Sequence, residues 1–322
     1  MSDARTTIPV AVVLPSFRRK EFLARALASV ALQQVVKPAE VIVVDDGSFD
    51  GTADLARSLG AHVIEKPLNE GLAAARDDAA RAAEGSEWLA MLDDDDQWLP
   101  DHLETVWSNR DGHVMVGGAS VSFGDGEPRL HGTPLRHPEL VTSPRRLVFP
   151  ENSFTTSAVL VRRDVLLDAG GFDRKLHYME DIDAWLRVLE RGTGLMLPDI
   201  TCLYRHHGGQ ISRDRQAMLD AGAMVFEKYK GRDWLTPLAL EGLAVTDHWD
   251  EFQSARRQRD WPGARSAATF IASRPSRLWA LARLLAFRKR VRRRAVHASV
   301  ARVVEEHAGA GRGVTQHGEH EP

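Results

Sequence analysis

Four consecutive aspartates, Asp93 to Asp96, come directly after the apolar run Trp88 to Leu92 (WLAML). Five apolar residues in a row read as a strand covered on both faces, as parallel strands are. Adjacent carboxylates at the end of such a strand repel one another and require a compensating cation. Oxygen-only ligands of this kind suit Mg2+ or Mn2+, which bind through one or two carboxylates and complete their shells with phosphate oxygens and water. The alternative is a solvated acidic turn. The apolar residues in front of the run favour the strand end.

The first half of the chain repeats this alternation of short apolar runs with segments of helical period. Val10 to Leu14 (VAVVL), Val41 to Val44 (VIVV) and Ala61 to Ile64 are further strand candidates. Between them, Lys20 to Gln33 places Leu23, Leu27 and Val30 on one helical face, and Thr52 to Leu59 and Leu72 to Ala83 also read as helices. The pattern predicts a doubly wound α/β unit with a mostly parallel sheet, whose ligands sit beyond the carboxyl ends of the strands. From Gly117 to Pro150 we expect irregular structure with short strands and loops. Ser157 to Leu167 returns to strand then helix, and Asp181 to Arg191 has helical period through Ile182, Trp185, Leu186 and Leu189. After Asp214 the chain reads as wholly helical, with a hairpin-like pattern from Asp260 to Leu285 and a solvated tail from Gly309 to Pro322.

In a sheet of this type the chemistry belongs to the turns at the strand ends. The first strand ends in Pro15, Ser16, Phe17 and Arg18, without the glycines of a dinucleotide-binding turn. The second ends in Asp45, Asp46, Gly47 and Ser48. A carboxylate there accepts the N–H edge of uracil, thymine or guanine and repels the acceptor-rich edge of adenine, or else only caps the turn. Glu180, Asp181 and Asp183 open the Trp185 helix, where the helix dipole favours acids whatever the function and would also keep a general base ionised. Tyr204 to Ser212 (YRHHGGQIS) reads as a flexible anion or metal-phosphate loop, or as surface histidines.

Charge and cysteine content narrow the classes. Across 322 residues the net charge is −3, which excludes a globally basic nucleic-acid coat, and we expect no nucleic-acid partner. Cys202 is the single cysteine, so no disulfide framework or thiolate zinc site is available. The apolar stretch near the N-terminus is too short for a secretion signal and no run approaches a membrane span, so a cytoplasmic location is expected. Arg274 to Arg294 holds nine Arg or Lys and no acid. With its Leu, Trp and Phe residues, this segment suits either an anionic membrane surface or packing on the rest of the protein.

The ordered motifs PSF, VVDDGSFDGT, NEGLAAARD, MLDDDDQWLPDHL, GGFD, EDIDAWLR and YRHHGGQIS closely resemble glycosyltransferase family 2, over roughly Ile8 to Ser212. The resemblance implies a GT-A fold over residues 1–213, with a nucleotide-sugar half at about 8–100 and an acceptor half at 101–213, then a helical region over 214–308 and a disordered tail over 309–322. It implies an inverting, metal-dependent transfer from a nucleoside-diphosphate sugar of UDP or dTDP type to an acceptor hydroxyl, in cell-surface polysaccharide or glycoconjugate synthesis. Asp46 matches the acid that binds the base, with Pro15 and Phe17 lining it and Arg76 near base and ribose. Asp93, Asp94 and Asp95 match the DXD motif. Asp95, assisted by Asp93, would bind Mn2+ or Mg2+, and Asp94 would face ribose or sugar. Asp181 matches the catalytic base, and Arg205 and His207 the loop over the diphosphate. The expected partners are the donor, a saccharide or lipid-linked saccharide acceptor, anionic membrane through Arg274 to Arg294, and a second copy in a homodimer. The competing classes are a sugar-phosphate nucleotidyltransferase, which lacks its Gly-rich phosphate loop here, and a non-catalytic polyanion-binding protein.

Overall fold

The computed structural model describes residues 5–125, 128–131, 135, 137–148 and 154–293. Arg294 and the tail expected over 309–322 lie outside them. The chain opens with β1 (Thr6–Ser16), α1 (Lys20–Ala31), β2 (Val36–Asp45), α2 (Thr52–Ser58), β3 (His62–Glu65), α3 (Leu72–Ala82) and β4 (Trp88–Met91). Then come β5 (Gln97–Trp98), α4 (His102–Ser108), β6 (Met115–Gly124), β7 (Arg129–His131), β8 (Glu139–Val141), α5 (Arg145–Val148), β9 (Val159–Arg162), α6 (Arg163–Asp168), α7 (Glu180–Leu189) and β10 (Gly194–His206). Four helices close the described chain: α8 (Arg215–Lys228), α9 (Pro237–Gln258), α10 (Trp261–Ala272) and α11 (Pro275–Arg293).

The strands form one sheet in the order β3-β2-β1-β4-β9-β6-β10-β5, with β7 on β6 and β8 on β10. Pairing is parallel from β3 through β2 and β1 to β4, and between β6 and β10; β9 runs antiparallel between β4 and β6. Strand side chains alternate between two apolar layers. Val13, Val44, Leu89 and Met91 pack with the alanines of α3 and with Trp185 of α7. Val12, Leu14, Val43, Ala90 and Leu92 pack with Leu23 and Leu27 of α1 and Leu103 of α4. Because both faces are covered, Val10–Leu14 of β1, Val41–Val44 of β2 and Trp88–Met91 of β4 are apolar throughout.

The expected irregular stretch from Gly117 instead opens with the buried ten-residue strand β6, in register with β10. Its glycines reflect crowding, not looseness. A Cβ on Gly117 would come within 2.5 Å of the Phe154 ring, and one on Gly118 within 2.1 Å of Thr201 Oγ1. Tyr204, Arg205 and His206, expected in a flexible loop, belong to the end of β10. The helical expectation after Asp214 holds. There α9 packs against both α10 and α11, with His248 stacked on Phe270 at 3.6 Å and Arg277 over the same ring at 3.6 Å.

Gly118→Ala is expected to destabilise the protein by about 1–3 kcal/mol through overpacking against Thr201. Urea unfolding measures this, and an unchanged midpoint would contradict the close approach of β6 and β10.

Candidate active site

The carboxyl ends of β1, β2 and β4 open into a pocket of about 620 Å3, closed on the far side by the start of α7 and by Gln210, Ile211 and Met218. Pro15, Phe17, Asp46, Arg76, Asp93, Asp94, Asp95 and Asp181 all line it. Eight of the ten site residues expected from sequence thus meet in one cavity. Arg205 and His207 are not on its wall but both contact Asp95.

At one end, the turn after β2 depends on two aspartates with different tasks. Asp45 Oδ1 accepts the Ser48 amide at 3.0 Å and so caps the turn. Asp46 reaches across the loop. Its Oδ1 accepts the Glu70 amide at 3.0 Å and its Oδ2 the Gly71 amide at 2.8 Å, so it holds the Asn69–Gly71 segment against the pocket. Beside them Gly47 has φ +79°, and a Cβ there would lie 2.7 Å from the Leu68 carbonyl carbon, so this turn needs glycine.

The acidic run is compensated residue by residue. Arg76 of α3, fully buried, pairs with Asp93 on one side and Glu180 on the other. Although burial works against its charge, Asp93, Glu180 and Asp181 hold the Arg76 guanidinium above its ordinary range. Asp94 Oδ2 accepts Ser16 Oγ–H at 2.7 Å, and Arg19 Nη1 reaches Asp94 Oδ1 at 3.3 Å and Asp95 Oδ2 at 2.6 Å. His207 Nε2 lies 2.9 Å from the same Asp95 oxygen. Asp96 faces inward, accepting Ser157 Oγ–H at 2.5 Å and the Arg205 amide at 2.8 Å. The Arg205 side chain lies behind the run: Nε donates to the Asp95 carbonyl at 2.8 Å and the guanidinium sits over the Phe22 and Phe123 rings. Burial, reinforced by Asp95, pushes Asp94 up to about 7 and Asp96 well above the usual carboxylate range.

At the other end, α7 begins at the pocket. Met179 before it adopts φ +57°, a costly conformation for a side-chain-bearing residue and one that clusters at functional sites. Asp181 Oδ2 accepts Thr156 Oγ–H at 2.6 Å, and the carboxylate sits in the first turn of the helix. Glu180 points inward to Arg76, and burial pushes it up to about 7 despite that partner.

Sequence reasoning does not single out Arg19, Thr156, Ser157 or Glu180 as site residues. Arg19 lies one position past the Pro15 to Arg18 turn, and Glu180 reads as one more acid in a first helical turn. Nothing in local spacing signals that tertiary structure aims Arg19 and Ser157 at the acidic run, Thr156 at Asp181 and Glu180 at Arg76.

Residues 11–168 match glycosyl transferase family 2, and the chain belongs to that family. An uncharacterised glycosyltransferase of Haemophilus influenzae is 26% identical over 186 residues, 56% of this chain and 62% of that protein, so the match spans under two thirds of that relative. The amylovoran biosynthesis glycosyltransferase AmsE of Erwinia amylovora is 27% identical over 218 residues, 64% of this chain and 79% of that one. Among solved structures, S. aureus TarS 1–349 in complex with UDP-GlcNAc superposes with a TM-score of 0.60 at 17% identity, covering 86% of this chain and 81% of that one. Mannosyltransferase PcManGT from Pyrobaculum calidifontis, in complex with GDP-Man and Mn2+, gives 0.57 at 20% identity over 88% and 87%. The fold is GT-A.

Glu180 supplies a pH test. Its folded-state pKa lies above its ordinary 4.5, so the folded chain holds a proton that the unfolded chain releases, and stability falls as pH rises through that window. Glu180→Gln carries no such penalty. The stability advantage of wild type over the variant is expected to shrink between about pH 5 and about pH 7.5 in urea titrations. A constant or growing advantage would contradict the buried placement.

Proposed function

We propose that this chain transfers a sugar, with inversion, from a nucleoside-diphosphate sugar of UDP or dTDP type to an acceptor hydroxyl. One observation carries the reading: Asp46, the Asp93–Asp95 run and Asp181 line the same pocket, at the strand ends where α/β sheets bind ligands. The UDP-GlcNAc and GDP-Man complexes of TarS and PcManGT support a nucleotide-sugar donor in this fold.

Asp181 is the base in this scheme. The Thr156 hydroxyl fixes one of its oxygens, and the carboxylate takes the acceptor's proton in this scheme. The acceptor oxygen then attacks the anomeric carbon from the face opposite the nucleotide, and a single displacement inverts configuration. At the nucleotide end, Pro15 and Phe17 line the base site, and Asp46 keeps its loop in place while offering a carboxylate edge. Arg76 acts from beneath, tying Asp93 to the helix that carries Asp181. Among the described residues, no group of three or more His, Cys, Asp or Glu is arranged to hold a metal. That fits Mg2+ or Mn2+, which take few protein ligands and rely on phosphate oxygens. Asp95 and Asp93 supply carboxylate oxygens on the pocket, with His207 Nε2 2.9 Å from Asp95 Oδ2 just behind its wall. When bound, the ion would neutralise charge developing on the departing diphosphate.

We further propose a saccharide or lipid-linked saccharide acceptor, reached from the cytoplasmic face of a membrane. No helix among the described residues is long and apolar enough to cross one. Trp261 is 62% exposed on α10, and Leu278 and Trp279 are about half exposed on α11, and the sequence from Arg274 to Arg294 carries no acid. That combination suits an anionic lipid surface. AmsE, named for biosynthesis of amylovoran, supports a role in polysaccharide or glycoconjugate synthesis.

Asp181→Asn is expected to lower turnover by about 10² or more while leaving nucleoside-diphosphate affinity nearly unchanged. Turnover within tenfold of wild type would remove Asp181 from the role of base. The intact protein is also expected to float with phosphatidylserine-containing vesicles, and Trp279→Glu to float less. Equal recovery of both in the soluble fraction would favour a second copy of the chain as the partner of this face, a choice sedimentation would check.

A further inference from the structure

If the pocket is a donor site, as proposed, the partners of its acidic run are not equivalent. Asp93 and Asp96 are held from inside, by buried Arg76 and by Ser157 and the Arg205 amide. Asp95 is held from the pocket side. Its Oδ2 receives Arg19 Nη1 at 2.6 Å and lies 2.9 Å from His207 Nε2, and the Asp95 side chain is only 9% exposed. Arg19 itself is 25% exposed and lines the pocket. It stands just before α1, with Nη1 also 3.3 Å from Asp94 Oδ1 and Nη2 donating to the Gly209 carbonyl at 2.9 Å. One guanidinium therefore sits on a carboxylate oxygen of the pocket-lining Asp95 and fastens the loop after β10 at the same time.

We propose that Arg19 is a resident counter-cation of the acidic run, which makes divalent-metal binding at Asp95 conditional on the arrival of a nucleoside diphosphate. A divalent ion approaching Asp95 Oδ2 alone meets a positive charge and must break a charge-assisted hydrogen bond. A diphosphate changes the balance. It supplies negative charge for the metal and a planar pair of acceptors that matches the guanidinium fork, so Arg19 can exchange carboxylate for phosphate oxygens. The same exchange releases Gly209, coupling occupancy of the donor site to the loop that bears His207. By linkage, metal and diphosphate raise each other's affinity by the same factor.

The test is Mn2+ titration of the intact chain, followed by the electron paramagnetic resonance of the free aquo ion, without nucleotide and with UDP, dTDP or GDP. Wild type is expected to bind Mn2+ weakly alone and much more tightly with one of these nucleotides. Arg19→Ala is expected to bind Mn2+ alone about tenfold or more tightly than wild type, equivalent to ~1.4 kcal/mol, and to lose most of the nucleotide enhancement. Arg19→Gln, which keeps a hydrogen-bond donor at this position, provides a second variant with the same expectation. Equal Mn2+ affinity of wild type and both variants without nucleotide would overturn the proposal, as would wild-type Mn2+ binding that nucleotides do not strengthen. If wild type bound none of the nucleotides even with Mn2+, the donor-site reading would fail. Tighter Mn2+ binding by the variants alone would then still support the role of Arg19 as resident cation.

Discussion

Carboxylates concentrated at the carboxyl end of one buried strand are the constraint around which the pocket is arranged. Asp93 to Asp96 cannot share that place unless each meets a cation or a hydrogen-bond donor, because an uncompensated buried charge costs several kcal/mol. The compensating groups come from several elements around the pocket: Ser16 at the end of β1, Arg19 between β1 and α1, Arg76 from α3, Ser157 just before β9, Arg205 at the end of β10 and His207 in the loop after it. Arg76 passes the constraint on to Glu180 and so to the first turn of α7. The geometry between the donor motif and Asp181 is thus set by ion pairs and does not depend on loop packing alone.

How much of this is legible in sequence depends on the range of each signal. The strands and helices of the first half can be read because continuous apolarity and helical period are local, and Ile182, Trp185, Leu186 and Leu189 do bury one face of α7. Residues 117–124 mislead because glycine usually signals a turn, whereas Gly117 and Gly118 are there to admit Phe154 and Thr201, more than thirty residues away in sequence. The same distance effect hides the site's supporting residues. Asp46 reads as a carboxylate at a strand end, but that both its oxygens hold amides of the 69–71 segment depends on where that segment returns in space. Arg19 is one Arg in a basic turn until the fold lays Asp95 beside it.

The burial of Asp94, Asp96 and Glu180 gives the site an electrostatic character that their number alone would not. Each is pushed above the ordinary carboxylate range first by burial, and Asp94 and Asp96 further by Asp95. A group of acids held this way gains from additional positive charge in the pocket, and an anion gains only if a cation comes with it. Under the proposed function this strand end favours a metal–anion pair over either ion alone, and Arg19, held on an Asp95 oxygen, sharpens that preference.

The family match stops at residue 168, short of Asp181. That boundary has a physical counterpart. Under the proposed function, the strand ends that would meet base, ribose and diphosphate lie inside it, and nucleotide recognition poses the same demands whatever the acceptor. The helix that carries Asp181 lies outside and is braced by later chain: Lys228 and Tyr229 at the end of α8 donate to buried Asp183 at 3.1 and 3.0 Å, alongside Arg187 at 2.7 Å. Met218 of the same helix lines the pocket, and Gly222 leaves room for Met179, whose Sδ would lie 3.3 Å from an added Cβ. The helix after the β10 loop thus steadies the unusual turn placing Asp181 and also forms part of the wall beside it. Under the proposed function a change of acceptor is accommodated there, by altering α8 and the loop before it, without disturbing the acidic run proposed to meet the donor.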